Sequence, residues 1–329
     1  MLIRGEKFAI LAVSDLDLAE SMEGRSVRLS SRCYFSSTAP AAFDSIWTKW
    51  LGTLAADRFK EANGFLICHA PSVTPGVVDA QSRALANMAS LLWIGILLTE
   101  GVPYQEGTYL VSGEYPQIGH PNLRTLYNPE QWYTSFNNWS CPVVGEANLR
   151  EGLRISRGLA RMGSKRACFR IKKGLRYLMR GMQEVYPDDR IHAHMRALDA
   201  VMMVPAGESR KHFADRAGVA FLVPDVNDHA ALVEAYRVRN AVEHVKPIDS
   251  EITGPRSEAA RLRRATLRAM QVERLACAAY RQLATTPALR LELRSDSAIE
   301  AFWNQQPQVV RAAWPEKLAL KSIKNRPRR

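Results

Sequence analysis

Three polar side chains near the end of one helical segment have the types and spacing needed for phosphate chemistry. In the stretch YRVRNAVEH, Arg239 and Asn240 are adjacent and His244 follows. Histidine changes charge near neutral pH, and arginine is a permanent cation that binds phosphate oxygens. Because Arg239 and His244 are five positions apart, one helix points them about 140° apart. Two copies related by a twofold axis could supply both side chains to one shared cleft.

Such a cleft has the parts needed to cleave RNA without a metal ion. The 2′-hydroxyl of RNA is an internal nucleophile already held near the phosphorus. A histidine can take or return the proton, and an arginine can stabilise the phosphate as its negative charge grows. Asn240 could orient either partner. This chemistry requires no cofactor.

The same residues also have a purely structural interpretation. A histidine near a helix C-terminus interacts favourably with the helix dipole. Arg239 could then form an ion pair with Glu234 or Glu243. The residues alone leave both interpretations open.

The charge of the chain is concentrated in its second part. Of 329 residues, 45 are Lys or Arg and 33 are Asp or Glu, which gives a net charge of +12. Residues 1–145 carry 10 basic and 13 acidic residues, whereas residues 146–329 carry 35 and 20. This asymmetry favours a polyanionic partner for the second part, and nucleic acid over an anionic membrane.

Two consecutive amphipathic helices after residue 145 hold much of this basic charge. Residues 150–180 contain eleven basic residues and one acidic residue. In the first helix the arginines recur at i, i+4, i+7 and i+11, which places them on one stripe. We interpret both helices as candidate phosphate-contacting surfaces, although the stripe could also pack against a second copy. The RNA-binding candidates are Arg150, Arg154, Arg157, Arg161, Lys172, Lys173 and Arg176.

Other common catalytic patterns are missing from the sequence. It contains no phosphate loop, GxGxxG, HExxH or GxSxG, and its five scattered cysteines form no CxxC pair. We therefore expect no metal site and a reducing, cytoplasmic location. His192 and His194 point to different sides of a predicted helix and are expected at the surface. Cys68 and His69 have no evident acidic partner and are expected at the edge of the core.

The local patterns predict a mixed α+β domain followed by an all-α bundle. Strands are predicted at KFAILAV and RSVRLSSRCYF, and helices followed by a strand across residues 42–67. The apolar stretch 84–99 is shorter than the roughly 20 residues that span a bilayer, which predicts a buried helix and no membrane partner. Residues 101–145 are rich in turn-forming and aromatic residues. We expect domains at 1–145 and 146–290, then an extension at 291–329 whose basic tail is frayed.

The second part resembles HEPN domains, and within them the Apea-like branch. The resemblance covers about residues 148–285. It rests on Arg239, Asn240 and His244 and on the ordered segments MRALDAVMM, FADRAGVAFL and LVEAYRVRNAVEH. It implies that Arg239 and His244 form the catalytic pair, with Asn240 as the polar residue between them.

The resemblance also implies an activity and an assembly. HEPN enzymes are metal-independent endoribonucleases that leave 2′,3′-cyclic phosphate and 5′-hydroxyl ends, usually as dimers with the cleft at the interface. Many are toxins or anti-phage effectors, while silent members bind RNA or a partner protein. Val245 and Lys246 stand where some HEPN toxins carry a tyrosine that an antitoxin modifies. Residues 1–145 match no family we can name, and a trigger-sensing role for them is only an analogy.

Overall fold

The chain forms two compact units. The computed structural model describes residues 2–14, 16–40, 45–99, 108–125, 143–164, 169–205, 209–248, 251–252 and 257–323. The first unit is Met1–Trp132 with Cys141–Arg157, and the second is Tyr133–Ser140 with Gly158–Arg329. The division falls inside a continuous helix, later in the chain than the boundary expected from the sequence. Cys141, Cys168 and the basic residues Lys165 and Arg166 lie outside the described residues.

An antiparallel sheet of six strands organises the first unit. The strand order is β2-β3-β4-β1-β5-β6. The alternating segments predicted as strands are confirmed as β1, β2 and β3. β5 and β6 lie in the segment where we expected turns, because the glycines and prolines of that segment obscured the two strands. The strands are β1 Glu6–Val13, β2 Ser26–Arg28, β3 Cys33–Ser36, β4 Gly64–Pro71, β5 Thr108–Tyr115 and β6 Asn122–Thr125.

Three helices accompany this sheet: α1 Ser45–Leu51, α2 Thr53–Glu61 and α3 Ala80–Leu97. The predicted buried helix is confirmed as α3, which packs against β1, β4 and β5. Asp79 caps its N-terminus by accepting a hydrogen bond from the Ser82 backbone at 2.8 Å. Among the described helices, none is both long and apolar enough to cross a bilayer.

The second unit is mostly helical, as the sequence predicted. The predicted helices around residues 190, 215, 235 and 270 are confirmed as α6 to α9. Helix α4 Glu146–Ser164 begins in the first unit and ends in the second. The other helices of the second unit are α5 Phe169–Gly181, α6 Pro187–Met202, α7 Ser209–Phe221, α8 Val226–Glu243, α9 Glu258–Thr285, α10 Pro287–Glu292, α11 Asp296–Trp303 and α12 Pro307–Ala313.

Helix α6 is the centre of the bundle and packs against α5, α8 and α9. Gly174 of α5 permits this approach, since a Cβ atom there would lie 2.5 Å from the Ala200 side chain. Because α6 is covered on several sides, His194 is fully buried, so its predicted surface position was wrong. Beside it, Arg190 and Glu273 form a buried ion pair at 2.8 Å. The polar residues of α6 therefore belong partly to the core.

The C-terminal segment packs onto this bundle up to residue 323. Trp314 is buried, and its ring lies 4.7 Å from that of Phe221. The Leu320 backbone donates to the Asp228 carboxylate at 2.8 Å, and Ile323 is buried. The expected fraying is thus wrong for residues 318–323, because their apolar side chains are covered. Residues 324–329 of the basic tail lie outside the described residues.

Candidate functional site

Helix α8 positions Arg239 and Asn240, and His244 follows its last turn. Asp225 starts the helix by accepting a hydrogen bond from the Asn227 backbone at 2.8 Å. The helix ends at Glu243, and the His244 backbone N–H closes the last turn on the Asn240 carbonyl at 3.1 Å. Val245 then adopts a positive φ of 52°, so the chain turns away directly after the histidine. The three residues are thereby fixed to the end of a packed helix.

The guanidinium group of Arg239 is held by three neighbours on the same helix. Its Nη1 donates to the Tyr236 hydroxyl at 2.9 Å and to Asn240 Oδ1 at 3.1 Å. Its Nη2 lies 3.1 Å from Glu243 Oε1, and the group stands 5.1 Å from the centre of the Tyr236 ring. Only 11% of the side chain is exposed. Arg239 is therefore a preorganised, mostly buried cation.

Of the two acidic partners considered for Arg239, the structure selects Glu243. Glu234 is buried and instead pairs with Arg264 and Arg268 of α9, at 2.8 and 2.9 Å. Asn240 Oδ1 accepts a hydrogen bond from the Arg239 guanidinium and so helps to orient it.

His244 differs from Arg239 in that its side chain is exposed. Within the described residues its ring makes no hydrogen bond or ion pair, and none joins it to Arg239. Within one copy of the chain, Arg239 and Asn240 are therefore in contact with each other, whereas His244 faces solvent. We call the Arg239–Asn240 pair the half-site.

A groove between α7 and α8 opens onto this half-site. It has a volume of 690 Å³. Four cations line it, which makes it suited to a polyanion. Its lining includes Arg210, Lys211, Tyr236, Arg237, Arg239 and Asn240.

Two residues of α6 extend the site and were not found from the sequence. Arg196 Nη1 lies 3.4 Å from Glu243 Oε1, so one carboxylate bridges Arg196 and Arg239. His192 lies against the Arg239 backbone, and burial lowers the pKa of this imidazole despite the nearby Glu243 carboxylate. The four-residue spacing of His192 and Arg196 places both on one face of α6, a signal the sequence did contain.

The basic candidates of α4 and α5 are mostly exposed. All four arginines of α4 are exposed, and two of them bond acidic neighbours on the same helix: Arg150 bonds Glu146 and Arg154 bonds Glu151, each at 2.7 Å. On α5, Lys173 and Arg176 are exposed and Lys172 is half-buried. These cations are accessible in the single chain.

Replacing Arg154 and Arg157 together by alanine is expected to weaken RNA binding and flatten its salt dependence. Each lost phosphate contact lowers the slope of log K against log salt concentration by about 0.7 for single strands. The slope can be measured by fluorescence anisotropy over a salt series. Arg263→Ala, an exposed arginine on α9, is the control. An unchanged slope in the double variant would assign the stripe to solubility instead.

Some polar groups of the first unit differ from expectation. His69 does have an acidic partner, because strand pairing of β1 with β4 brings Glu6 within 2.7 Å of its Nδ1. Cys68 is buried, and its Sγ lies 3.2 Å from the Sγ of Cys33 on the neighbouring strand. In the described parts of the chain no three His, Cys, Asp or Glu residues cluster as metal ligands would.

No family model, curated protein or solved structure matches this chain. The expected resemblance to HEPN domains therefore rests only on the Arg239, Asn240 and His244 pattern and on the order of the three segments that form α6, α7 and α8.

Proposed function

We propose that the chain is a metal-independent endoribonuclease of HEPN type that serves as a toxin or anti-phage effector. The observation that carries the proposal is the groove between α7 and α8. Its lining includes the preorganised Arg239–Asn240 pair among further cations, on the helix that His244 directly follows. A polyanion held there would present its phosphates to the arginine.

The roles of the three residues follow from their chemistry. Arg239 would stabilise the phosphate as the 2′-oxygen attacks, since a fixed guanidinium needs little reorganisation as the charge develops. Asn240 would hold Arg239 in position through its carbonyl oxygen. His244 would exchange the proton with the attacking or leaving oxygen. The products would carry 2′,3′-cyclic phosphate and 5′-hydroxyl ends.

The proposed active form is a homodimer. The ring of His244 is exposed and does not bond Arg239 within one copy, so a second copy would have to complete the cleft. An isologous interface places equivalent surfaces against each other and would bring two α8 ends together. Residues 1–145 would then be free to receive a trigger or a regulatory partner.

A silent RNA-binding or protein-binding HEPN module is the second candidate. It is favoured by the ion pair between Arg239 and Glu243, since a paired arginine is less available for catalysis. Such a module would bind RNA through the same groove without cleaving it.

Cleavage of total RNA in excess EDTA separates these candidates. Purified wild-type protein is expected to cleave, and its products should carry cyclic phosphates. His244→Ala is expected to lower the rate by about 10²–10⁴-fold, the contribution typical of a general acid or base. The rate should be measured on a labelled RNA with end-group analysis by mass spectrometry.

His229→Gln is a matched control, because His229 is a partly exposed histidine at the other end of the same helix. Its cleavage should equal that of the wild type. Full cleavage by the His244→Ala variant would refute the site. RNA binding without cleavage by any variant would favour the silent module.

A further inference from the structure

A second cavity on the helical unit combines aromatic rings, cations and carboxylates. It has a volume of 260 Å³, a little below the roughly 300–1,000 Å³ of typical small-molecule sites, which suits one nucleoside. It is formed by α5, α6 and the first residue of α11. Its lining includes Phe169, Lys173, Tyr177, Arg196, Asp199 and Asp296.

The aromatic residues offer flat surfaces for a base. Phe169 is 67% exposed at the start of α5. The Arg196 guanidinium stands 5.6 Å from the centre of the Tyr177 ring, within the range of a cation–π contact. Single-stranded nucleic acids bind to such surfaces by stacking bases on rings while cations follow the backbone.

The carboxylates add hydrogen-bond acceptors to the same cavity. Asp199 accepts a long 3.4 Å bond from the Val204 backbone, and Asp296 accepts an equally long one from Arg170. Carboxylates accept hydrogen bonds from the amino groups of bases. The cavity therefore favours adenine, guanine or cytosine, which carry an exocyclic amino group, over uracil, whose base has N3–H as its one hydrogen-bond donor.

Arg196 connects this cavity to Arg239. It lines the cavity, and Glu243 Oε1 lies 3.4 Å from its Nη1 and 3.1 Å from Nη2 of Arg239. The two guanidinium groups thus share one acceptor and lie close to each other. Neighbouring phosphates of one strand could therefore contact both groups.

We propose that this cavity is a nucleotide-binding subsite for single-stranded RNA. A base stacks on Phe169 and Tyr177, its phosphate is bound by Lys173 and Arg196, and the strand continues to Arg239. The inference rests on the proposed function, because it names where the nucleotide next to the cleaved bond is held.

Binding of an uncleavable probe tests the subsite separately from catalysis. The probe is a labelled single-stranded 2′-O-methyl RNA of adenosine and cytidine, which lacks the attacking hydroxyl. Phe169→Ala is expected to bind it roughly tenfold more weakly with an unchanged salt slope, since a lost stack carries no charge. Lys173→Ala should weaken binding too. It should also reduce the steepness of log K against log salt concentration by about 0.7, the value for one phosphate contact. Tyr186→Ala is the matched control, because Tyr186 is 68% exposed in the same unit and outside the cavity.

Equal affinities of the Phe169→Ala and Tyr186→Ala variants would overturn the subsite. A uridine probe that binds as tightly as the adenosine and cytidine probe would overturn the role of the carboxylates. Phe169-dependent binding with no cleavage in EDTA would support the subsite and refute the ribonuclease. Cleavage without any dependence of binding on Phe169 would overturn the subsite alone.

Discussion

A heterodimer of one Arg239→Ala subunit and one His244→Ala subunit is expected to regain about half of wild-type cleavage. If each cleft takes its arginine from one copy and its histidine from the other, one of the two clefts in this heterodimer is intact. Each homodimeric variant lacks an essential group in both clefts. The exposed ring of His244, which makes no bond to Arg239 within one copy, is the structural reason for this expectation. Cleavage should be measured on heterodimers purified through two different affinity tags.

Arg239→Ala subunits carrying both tags are the control for this experiment, because their dimers contain no intact cleft. They should remain inactive. A heterodimer as inactive as this control would show that Arg239 and His244 must come from the same copy. Failure to recover any doubly tagged dimer would contradict the proposed homodimer itself.

Sequence patterns predicted the helices and strands better than they predicted the contacts between them. KFAILAV was predicted as a strand from alternation and does form most of β1, but seven of the eight β1 residues are buried, so the strand has no exposed face. β5 was missed, since it lies about a hundred residues from its pairing partner β1, and pairing at long range leaves little local trace. Helices α6 to α9 were found because their apolar spacing is regular over long segments.

At the candidate site, too, the sequence predicted what lies on one helix but not the contacts between helices. The sequence could place Arg239, Asn240 and His244 near one another and offer Glu234 and Glu243 as partners of the arginine, because these residues lie on or next to one helix. It left the choice between the two carboxylates open. It could not show that Arg196 approaches the same carboxylate, since that contact depends on how α6 packs against α8. His194 was misplaced for a related reason. Helices α5, α8 and α9 cover α6 on several sides and bury His194, whereas Arg196 on the same helix stays partly exposed.

The acid stability of the protein should depend on His194. This imidazole is fully buried beside Arg190 and Glu273, with the Leu178 carbonyl nearby, and burial lowers its pKa from 6.5 to about 4. Between these two values the unfolded chain binds a proton that the folded chain does not. Stability is therefore fully present above pH 6.5 and is lost as the pH falls towards 4. With 1.36 kcal/mol for each pKa unit, the loss amounts to about 3 kcal/mol.

Urea unfolding of the wild type between pH 7 and pH 4 should show this loss, and the His194→Leu variant should lack it. Leucine is apolar and of similar size, so it occupies the same space beside Gly181 without a titrating group. A His194→Gln variant repeats the test with a polar side chain that does not titrate. His229→Gln is the control, because it replaces an exposed histidine of the same helical unit. If both His194 variants lose stability with falling pH as steeply as the wild type, His194 is not the source of the acid sensitivity.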